Sequence, residues 1–181
     1  MSDPRDELVD HLGAMRAFAI SLTRNTAMAD DLVQDTLVKA WTNIEKFEEG
    51  SNMRAWLFTI LRNTYYSLRR KRRREVEDAD GVLSEQLSQK PDHDGRLNMR
   101  DFNTAFAQLN DEQREALVLV GAGGFSYEEA AETCGVKVGT IKSRVNRGRA
   151  RLAELMHLDE DEPMELTDTV TAGIVSQQSV A

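Results

Sequence analysis

Residues 125–152 constrain the fold more than any other part of this chain. They read FSYEEAAETCGVKVGTIKSRVNRGRARL. Ser126 followed by Glu129 forms a capping box, in which the hydroxyl and the carboxylate each accept a hydrogen bond from a backbone amide at the start of a helix. Gly135 suits the left-handed cap that ends such a helix. The segment therefore predicts two short helices joined by a tight turn at residues 136–137.

The second of these helices carries charge of one sign. From Lys137 to Leu152 there are six basic residues and no acidic one, while Ile141 and Val145 recur at helical spacing. In a helix-turn-helix the second helix enters the major groove, where Arg, Lys, Asn and hydroxyl side chains contact bases and phosphates. A merely solvated basic helix is the less favoured alternative, because the capping box, the turn glycine and the charge occur together. The candidate contacts with duplex DNA are Thr140, Lys142, Ser143, Arg144, Asn146, Arg147 and Arg149.

The composition favours an all-α protein. Of the 181 residues, 40% are hydrophobic and 6% aromatic, and only three are proline, which suits one or two small helical cores. The formal net charge of -8 argues against binding nucleic acid only if it is spread evenly. Residues 69–74 read RRKRRR, whereas residues 75–94 hold seven acids against Lys90. Local basic patches set the field that a phosphate backbone feels within a Debye length.

The sequence lacks the residues that several classes of function require. The single cysteine, Cys134, cannot form an internal disulfide, and His11, His93 and His157 lack metal-ligand spacing. No apolar run approaches the length of a membrane span, and the N-terminus has no secretory pattern. A phosphate-binding glycine motif and a nucleophile with its base are also missing. We expect a cytoplasmic protein with no catalytic residue, no metal and no cofactor.

Three amphipathic helices are predicted in the first part of the chain, at about residues 3–22, 27–44 and 53–74. Trp41 is expected on the inward side of the second helix and Leu68 on the inward side of the third. The outer surface of the second helix is expected to carry Asp31, Gln34, Asp35 and Lys39.

A second face of the third helix combines basic and aromatic residues. Its residues, at spacings i, i+4, i+7 and i+11, are Arg62, Tyr66, Arg69 and Arg73. Rings between guanidinium groups suit single-stranded DNA, because bases stack on the ring while the charges follow the backbone. Asn63 and Tyr65 lie beside this face and can add a base-edge hydrogen bond and a further ring. The alternative, left open at this point, is that the tyrosines are core and residues 69–74 only solubilise a helix end.

The pattern divides the chain into four parts. Residues 1–74 form a first domain, and residues 75–95 are acidic, contain two glycines and a proline, and predict a flexible tether. Residues 96–158 predict a second, four-helix domain that ends in the helix-turn-helix. The remaining residues, 159–181, are acidic and then polar and are expected to be disordered.

Three stretches resemble group 4, extracytoplasmic-function (ECF) sigma factors. They are ADDLVQDTLVKAW at residues 29–41, FEEGSNMRAWLFTILRNTYYSLRRKRR at residues 47–73, and GFSYEEAAETCGVKVGTIKSRVNRGRARL at residues 124–152. The sequence of the third stretch is similar to that of the EcfG-type subgroup, which controls the general stress response. The resemblance implies a sigma region 2 domain and a sigma region 4 domain.

What the resemblance implies about binding is specific. The outer surface of the second helix, with Asp31, Gln34, Asp35 and Lys39, would face the beta-prime clamp of RNA polymerase core, with the beta subunit as a further contact. The second domain would read the -35 promoter element as duplex. An anti-sigma factor is a further expected partner, whereas a membrane and a small-molecule substrate are not. The first domain would open the -10 element, with Asn63 and the loop at residues 47–52 at positions that hold a flipped-out base in the family. The candidate contacts with the -10 element are Asn52, Arg62, Asn63, Tyr65, Tyr66, Arg69, Arg70 and Arg73.

Two rival interpretations stay open. A stand-alone helix-turn-helix regulator would explain the second domain, but it leaves the outer surface of the second helix and the RRKRRR helix without a role. A sigma mimic that sequesters an anti-sigma factor would share the fold, yet the basic helix here keeps its contact residues.

Gly148 is an unfavourable residue within the predicted second helix of the helix-turn-helix, since glycine disfavours a helix by about 1 kcal/mol relative to alanine.

Overall fold

The computed structural model describes residues 3–78 and 97–157 of the chain. The tether predicted at residues 75–95 lies mostly outside the described residues, and so does the tail predicted to be disordered. The chain divides into two compact units, Met1–Pro91 and Asp92–Ala181, which are described separately. The described residues form helices and turns without any strand, so the all-α prediction is confirmed for them.

Within residues 3–78, the first unit contains three α-helices and two short 3₁₀ segments. A 3₁₀ helix, Pro4–His11, leads into α1, Leu12–Thr23. Helix α2 spans Thr26–Thr42 and is followed by a 3₁₀ turn, Ile44–Lys46. Helix α3 spans Met53–Asp78, which makes the first four residues of the predicted tether helical.

Asparagine side chains begin two of these helices. Asn25 Oδ1 accepts a hydrogen bond from the Met28 amide at 3.0 Å, and the preceding Arg24 adopts a left-handed conformation with φ of 54° that closes α1. Asn52 Oδ1 accepts from the Ala55 amide at 3.1 Å at the start of α3. Each cap satisfies an amide that the helix itself leaves unpaired and stabilises it by about 1 kcal/mol.

The core of the first unit is built where the three α-helices meet. Phe18 of α1 stacks on Phe58 of α3 with ring centroids 4.8 Å apart, and Leu57 and Leu61 are fully buried beside them. Burial of each such side chain stabilises the fold by about 1.5–3 kcal/mol.

Two predicted core positions are wrong. Trp41 is 57% exposed and Leu68 is 41% exposed. Trp41 lies seven residues after Gln34, so it shares the outer surface of α2. Leu68 lies beyond Tyr65, the last buried residue of α3, and every residue at positions 67–77 is exposed. The end of α3 therefore presents all its side chains to solvent.

The described residues of the second unit, 97–157, form four α-helices. Helix α4 spans Leu97–Ala107, and α5 spans Asp111–Leu117 and continues as a π-helical turn, Val118–Ala122. Helices α6, Tyr127–Cys134, and α7, Val138–Leu155, form the predicted helix-turn-helix.

The local signals that predicted the helix-turn-helix are confirmed. Ser126 Oγ accepts from the Glu129 amide at 3.1 Å, and a Glu129 carboxylate oxygen accepts from the Ser126 amide at 2.8 Å. Gly135 closes α6 in the left-handed region with φ of 65°. These contacts fix where α6 begins and where the chain turns into α7.

Helix α7 packs against α5 unusually closely. Ile141, Val145 and Leu152 are fully buried, and Gly148 lies buried between them. A Cβ atom at Gly148 would lie 2.8 Å from Leu117 Cδ1, closer than two carbon atoms pack. The glycine therefore allows the approach of the two helices, which its helix propensity did not reveal.

Beneath this contact, Arg114 of α5 is buried at 2% exposure. Its guanidinium donates to the Leu109 carbonyl at 2.8 Å and to an Asp111 carboxylate oxygen at 2.5 Å. A buried charge needs such partners, so these contacts tie α5 to the preceding turn.

Candidate nucleic-acid interface

The outer surface of α7 holds most of the predicted duplex contacts. Lys142, Asn146 and Arg147 are exposed there, and Thr140 and Ser143 are half-buried. These residues offer the groups that recognise guanine, adenine and phosphate. The structure therefore gives one continuous polar face on the first three turns of α7.

Lys142 is held by a neighbouring ring. Its Nζ lies 5.7 Å from the centroid of Tyr127 at the start of α6. A cation–π contact at an exposed site is worth about 0.5–1 kcal/mol, so it restricts the lysine without burying it.

Two predicted duplex contacts lie away from this face. Arg144 is 15% exposed, and its Nη2 lies 3.0 Å from Glu112 Oε1 of α5. Arg149 is half-buried, and its Nε is covered with no hydrogen-bond partner in the described part of the chain. The structure thus separates the arginines of α7 into exposed and packed ones.

The predicted single-strand face of α3 is accessible. The Arg62 guanidinium lies 4.7 Å from the centroid of the Tyr66 ring, and both side chains are half-buried. Asn63 beside them is exposed, as are Arg69 and Arg70. Ring, guanidinium and amide are therefore presented together at one place on the helix.

Arg73 is exposed on the same helix and its Nε donates to Glu77 Oε1 at 2.9 Å. Both side chains are more than half exposed, so this ion pair is weak and leaves the arginine available to a phosphate.

Tyr65 is a correction to the predicted face. Its ring is buried at 8% exposure, and its hydroxyl donates to the Leu22 carbonyl of α1 at 2.9 Å. A ring held in this way cannot stack on a base. It contacts the Tyr66 ring edge-on at 5.1 Å, and therefore supports that ring from inside the unit.

The outer surface of α2 carries the predicted polymerase contacts. Asp31, Gln34 and Asp35 are exposed. Val38, at 65% exposure, and Trp41, at 57%, continue the same stripe toward the end of the helix. Sequence reasoning missed these two residues, although Val38 lies four positions after Gln34 and Trp41 seven, which places them on one face.

Lys39 differs from the rest of that set. Its backbone is part of α2, but its Nζ donates to Thr64 Oγ1 of α3 at 3.0 Å, so the side chain leans across onto the neighbouring helix.

The N-terminal 3₁₀ helix reaches the same surface. The Arg5 guanidinium lies 5.1 Å from the centroid of the Trp41 ring. Asp3 holds Arg5 by accepting from its amide at 2.9 Å and from Nη1 at 3.3 Å. The amide hydrogen bond is the main reason that the pKa of the Asp3 carboxyl is below its ordinary value.

Within residues 3–78 and 97–157, no three His, Cys, Asp or Glu side chains are grouped to hold a metal ion. None of the helices in these ranges combines the length and the apolar character of a membrane span.

Each of the two units matches a known protein family. The family profile of sigma-70 region 2 matches residues 8–75, and that of sigma-70 region 4 matches residues 99–152. The chain is 54% identical over 170 residues to the ECF RNA polymerase sigma factor EcfG of Rhodopseudomonas palustris, covering 94% of each sequence.

Solved structures show the same relationship. The sigma factor RpoE of Bartonella quintana, in complex with the anti-sigma factor NepR, matches with a TM-score of 0.78 and 54% identity, covering 88% of this chain and 100% of that one. CnrH, in complex with the cytosolic domain of CnrY, matches with a TM-score of 0.57 and 27% identity over 86% of this chain and 88% of that one. The chain belongs to the extracytoplasmic-function (ECF) RNA polymerase sigma factors.

Proposed function

We propose that this sigma factor directs core RNA polymerase to stress-response promoters in the cytoplasm, reading the -35 element as duplex with α7 and opening the -10 element with α3. One observation supports the proposal most. Each compact unit presents an exposed cationic surface, and the two surfaces differ in chemistry. The surface on α7 has base-reading side chains, and the neighbouring ring, Tyr127 of α6, is occupied by Lys142. The surface on α3, by contrast, carries a ring of its own, Tyr66, beside Arg62. The stress-response assignment rests on the similarity of residues 124–152 to the EcfG-type sequence.

Readout of the -35 element falls to the exposed face of α7. Asn146 can pair with an adenine edge through two hydrogen bonds, and Arg147 or Lys142 can do the same with guanine. Each well-formed bidentate contact discriminates against a wrong base by about 1–3 kcal/mol. Thr140 and Ser143 supply hydroxyls near the helix start, where phosphates are bound.

Opening of the -10 element falls to α3. A base that leaves the duplex loses stacking of about 1.4 kcal/mol per step, and an aromatic platform returns about 1–3 kcal/mol per base. The Tyr66 ring with its Arg62 partner can therefore offset the opening of about one base step. Asn63 is exposed beside this ring and can hydrogen-bond a captured base, and Asn52 lies at the start of the same helix. The exposed arginines at positions 69, 70 and 73 supply charge for the separated strand.

Docking on the polymerase falls to the outer surface of α2. Val38 and Trp41 form an exposed apolar centre, and Asp31, Gln34 and Asp35 give it an acidic and polar edge. Tryptophan at the centre of a patch with a polar edge is typical of residues that dominate a protein interface. The beta-prime clamp is the partner that we assign to this surface, with the beta subunit as a further contact.

The proposed role assigns no covalent chemistry, small-molecule substrate or membrane to this chain, because the polymerase core performs RNA synthesis. We also propose control by an anti-sigma factor. The similar proteins RpoE and CnrH were solved in complex with NepR, an anti-sigma factor, and with the cytosolic domain of CnrY, respectively.

Transcription on a pre-melted template separates the two DNA-binding roles. Core polymerase with the natural chain should give promoter-specific transcripts from duplex DNA. Asn63→Ala should impair transcription from duplex and recover on a template that is mismatched across the -10 element, because opening is then no longer required. Arg147→Ala should be impaired on both templates, since it acts on the -35 duplex.

Equal defects on both templates for the two variants would contradict this division of roles. Absence of transcripts with the natural chain, together with sequence-selective duplex binding, would favour a stand-alone regulator. Absence of transcripts together with capture of an anti-sigma factor would favour a sigma mimic.

Docking has its own test. Asp35→Lys should weaken binding of the full chain to core polymerase, measured by competition against the natural chain. Glu45→Lys makes the same charge change at an exposed position outside α2 and serves as the matched control. Equal binding by the two variants would remove the outer surface of α2 from the docking site.

A further inference from the structure

The contact between α5 and α7 is held at two points on one side of α7. At the first, Arg144 Nη2 pairs with Glu112 Oε1 at 3.0 Å. At the second, four residues later, Gly148 lets α7 approach Leu117 and Gln113 so closely that an added Cβ would lie 2.8 Å from the leucine. The two points are separated by about 6 Å along the helix axis.

Arg144 is enclosed at the first point. Its side chain is 15% exposed, whereas that of Glu112 is 62% exposed. The second guanidinium nitrogen, Nη1, is fully covered and has no hydrogen-bond partner within the described part of the chain. An end-on bidentate contact with a base edge uses Nη1 and Nη2 together, and a side-on contact also uses Nη2. Nη1 is not at the surface, and Nη2 is paired with Glu112.

Two fixed points determine how α7 is rotated about its own axis. A rotation of about 20° moves a side chain 6 Å from that axis by about 2 Å. Such a shift breaks a hydrogen bond that tolerates only a few tenths of an ångström. The orientation of Lys142, Asn146 and Arg147 toward DNA therefore depends on the opposite side of the helix.

We propose that Arg144 is a positioning residue, which through Glu112 sets the rotation of α7 and leaves base readout to Lys142, Asn146 and Arg147. The inference rests on the proposed function, since it concerns how α7 reads duplex DNA. It reverses the sequence-based prediction that Arg144 contacts DNA itself.

Glu112→Gln in the full chain tests the proposal, because Glu112 lies on α5 and makes no predicted DNA contact. The probe is a duplex library randomised over one helical turn, from which the natural chain selects a preferred sequence. The measured quantity is the affinity for that duplex divided by the affinity for a scrambled duplex of the same composition. We expect this selectivity to fall about two- to fivefold, the factor that loss of a partly exposed ion pair can produce.

The charge-swapped pair Glu112→Arg with Arg144→Glu restores the ion pair with its polarity reversed. We expect it to recover the selectivity lost in Glu112→Gln, with the same preferred bases. Asp101→Asn, which neutralises an exposed acid on α4, is the matched control and should keep the natural selectivity. Neutralising an acidic residue raises the affinity for any DNA sequence. Dividing the affinity for the preferred duplex by that for the scrambled duplex removes this general gain.

Three results would overturn the proposal. If Arg144 reads a base, Glu112→Gln frees it and selectivity holds or rises, while the swapped pair changes the preferred bases. If the ion pair is merely structural, the unfolding temperature of Glu112→Gln falls and the selectivity stays unchanged. If the natural chain selects no sequence at all, the proposed function fails, and this inference fails with it.

Discussion

Replacing Gly148 with alanine should destabilise the second unit, although alanine is the better helix former. Helix propensity alone predicts a gain of about 0.8–1.0 kcal/mol. Against this, the new Cβ would lie 2.8 Å from Leu117 Cδ1, 3.2 Å from Leu117 Cγ and 3.5 Å from Gln113 Cβ. Rotating the end of the leucine moves Cδ1 but leaves Cγ at 3.2 Å, so the side chain must also shift by a few tenths of an ångström.

The two effects can be compared directly. Forcing a methyl group into a packed contact costs about 1–3 kcal/mol, and Leu117 is buried at 2% exposure, which leaves it little room to move. After the gain in propensity is subtracted, we expect a net loss of about 1 kcal/mol. In a unit of this size, such a loss lowers the midpoint of thermal unfolding by about 4–8 °C.

The assay must follow the second unit itself. Both tryptophans, Trp41 and Trp56, lie in the first unit, so their fluorescence does not monitor the contact between α5 and α7. Amide hydrogen exchange of α7 at equilibrium reports the free energy of opening where the substitution is made. Gly139→Ala is the matched control, because a Cβ at Gly139 meets nothing within 4 Å and should stabilise the helix by up to about 1 kcal/mol.

Whether the protection of α7 rises or falls in Gly148→Ala decides between helix propensity and packing. Protection of α7 that rises in Gly148→Ala as it does in Gly139→Ala would refute the argument from packing. A second check is the pair Gly148→Ala with Leu117→Ala, whose combined loss should be smaller than the sum of the single losses, because the shortened side chain makes room.

Three further substitutions test contacts that the helices depend on. Arg114→Ala should destabilise the second unit by about 1–3 kcal/mol, since the Leu109 carbonyl loses its donor while the Asp111 carboxylate, which is 30% exposed, can be hydrated, and the loss should be visible in hydrogen exchange of α5. Tyr65→Phe should lower the free energy of unfolding of the first unit by about 1–2 kcal/mol, read by tryptophan fluorescence in urea, because the Leu22 carbonyl loses its donor. Ser126→Ala should cost about 1 kcal/mol and reduce protection at the start of α6, and unchanged protection there would show that the capping box contributes nothing.

The beginnings and ends of helices could be predicted from the sequence because their causes are local. Ser126 and Glu129 satisfy each other across three residues, Asn25 and Asn110 each cap an amide three positions on, and Gly135 turns the chain without help from elsewhere. The end of α3 had no comparable signal, and the predicted boundary fell four residues short.

Exposure could not be predicted so well, because it depends on which helices cover a given turn. Leu68 continues the apolar stripe of α3, yet Tyr65 is the last buried residue of that helix. Tyr65 was expected to supply a further ring because it lies beside the basic and aromatic face of α3, and its hydroxyl instead reaches a backbone carbonyl of α1. Residue type was informative in both places, but the position of the neighbouring helices decided the outcome.

The arginines of α7 show how far residue type and position each carry a prediction. Charge alone makes Arg144 and Arg147 equivalent, and both were predicted to contact DNA. Their positions on the helix differ, since Arg144 lies three residues after Ile141 and four before Gly148, both of which are buried. Arg147 follows the exposed Asn146, on the side of α7 away from the contact with α5. Spacing in the sequence therefore contained the distinction, and what it could not supply was the acid on α5 that pairs with Arg144.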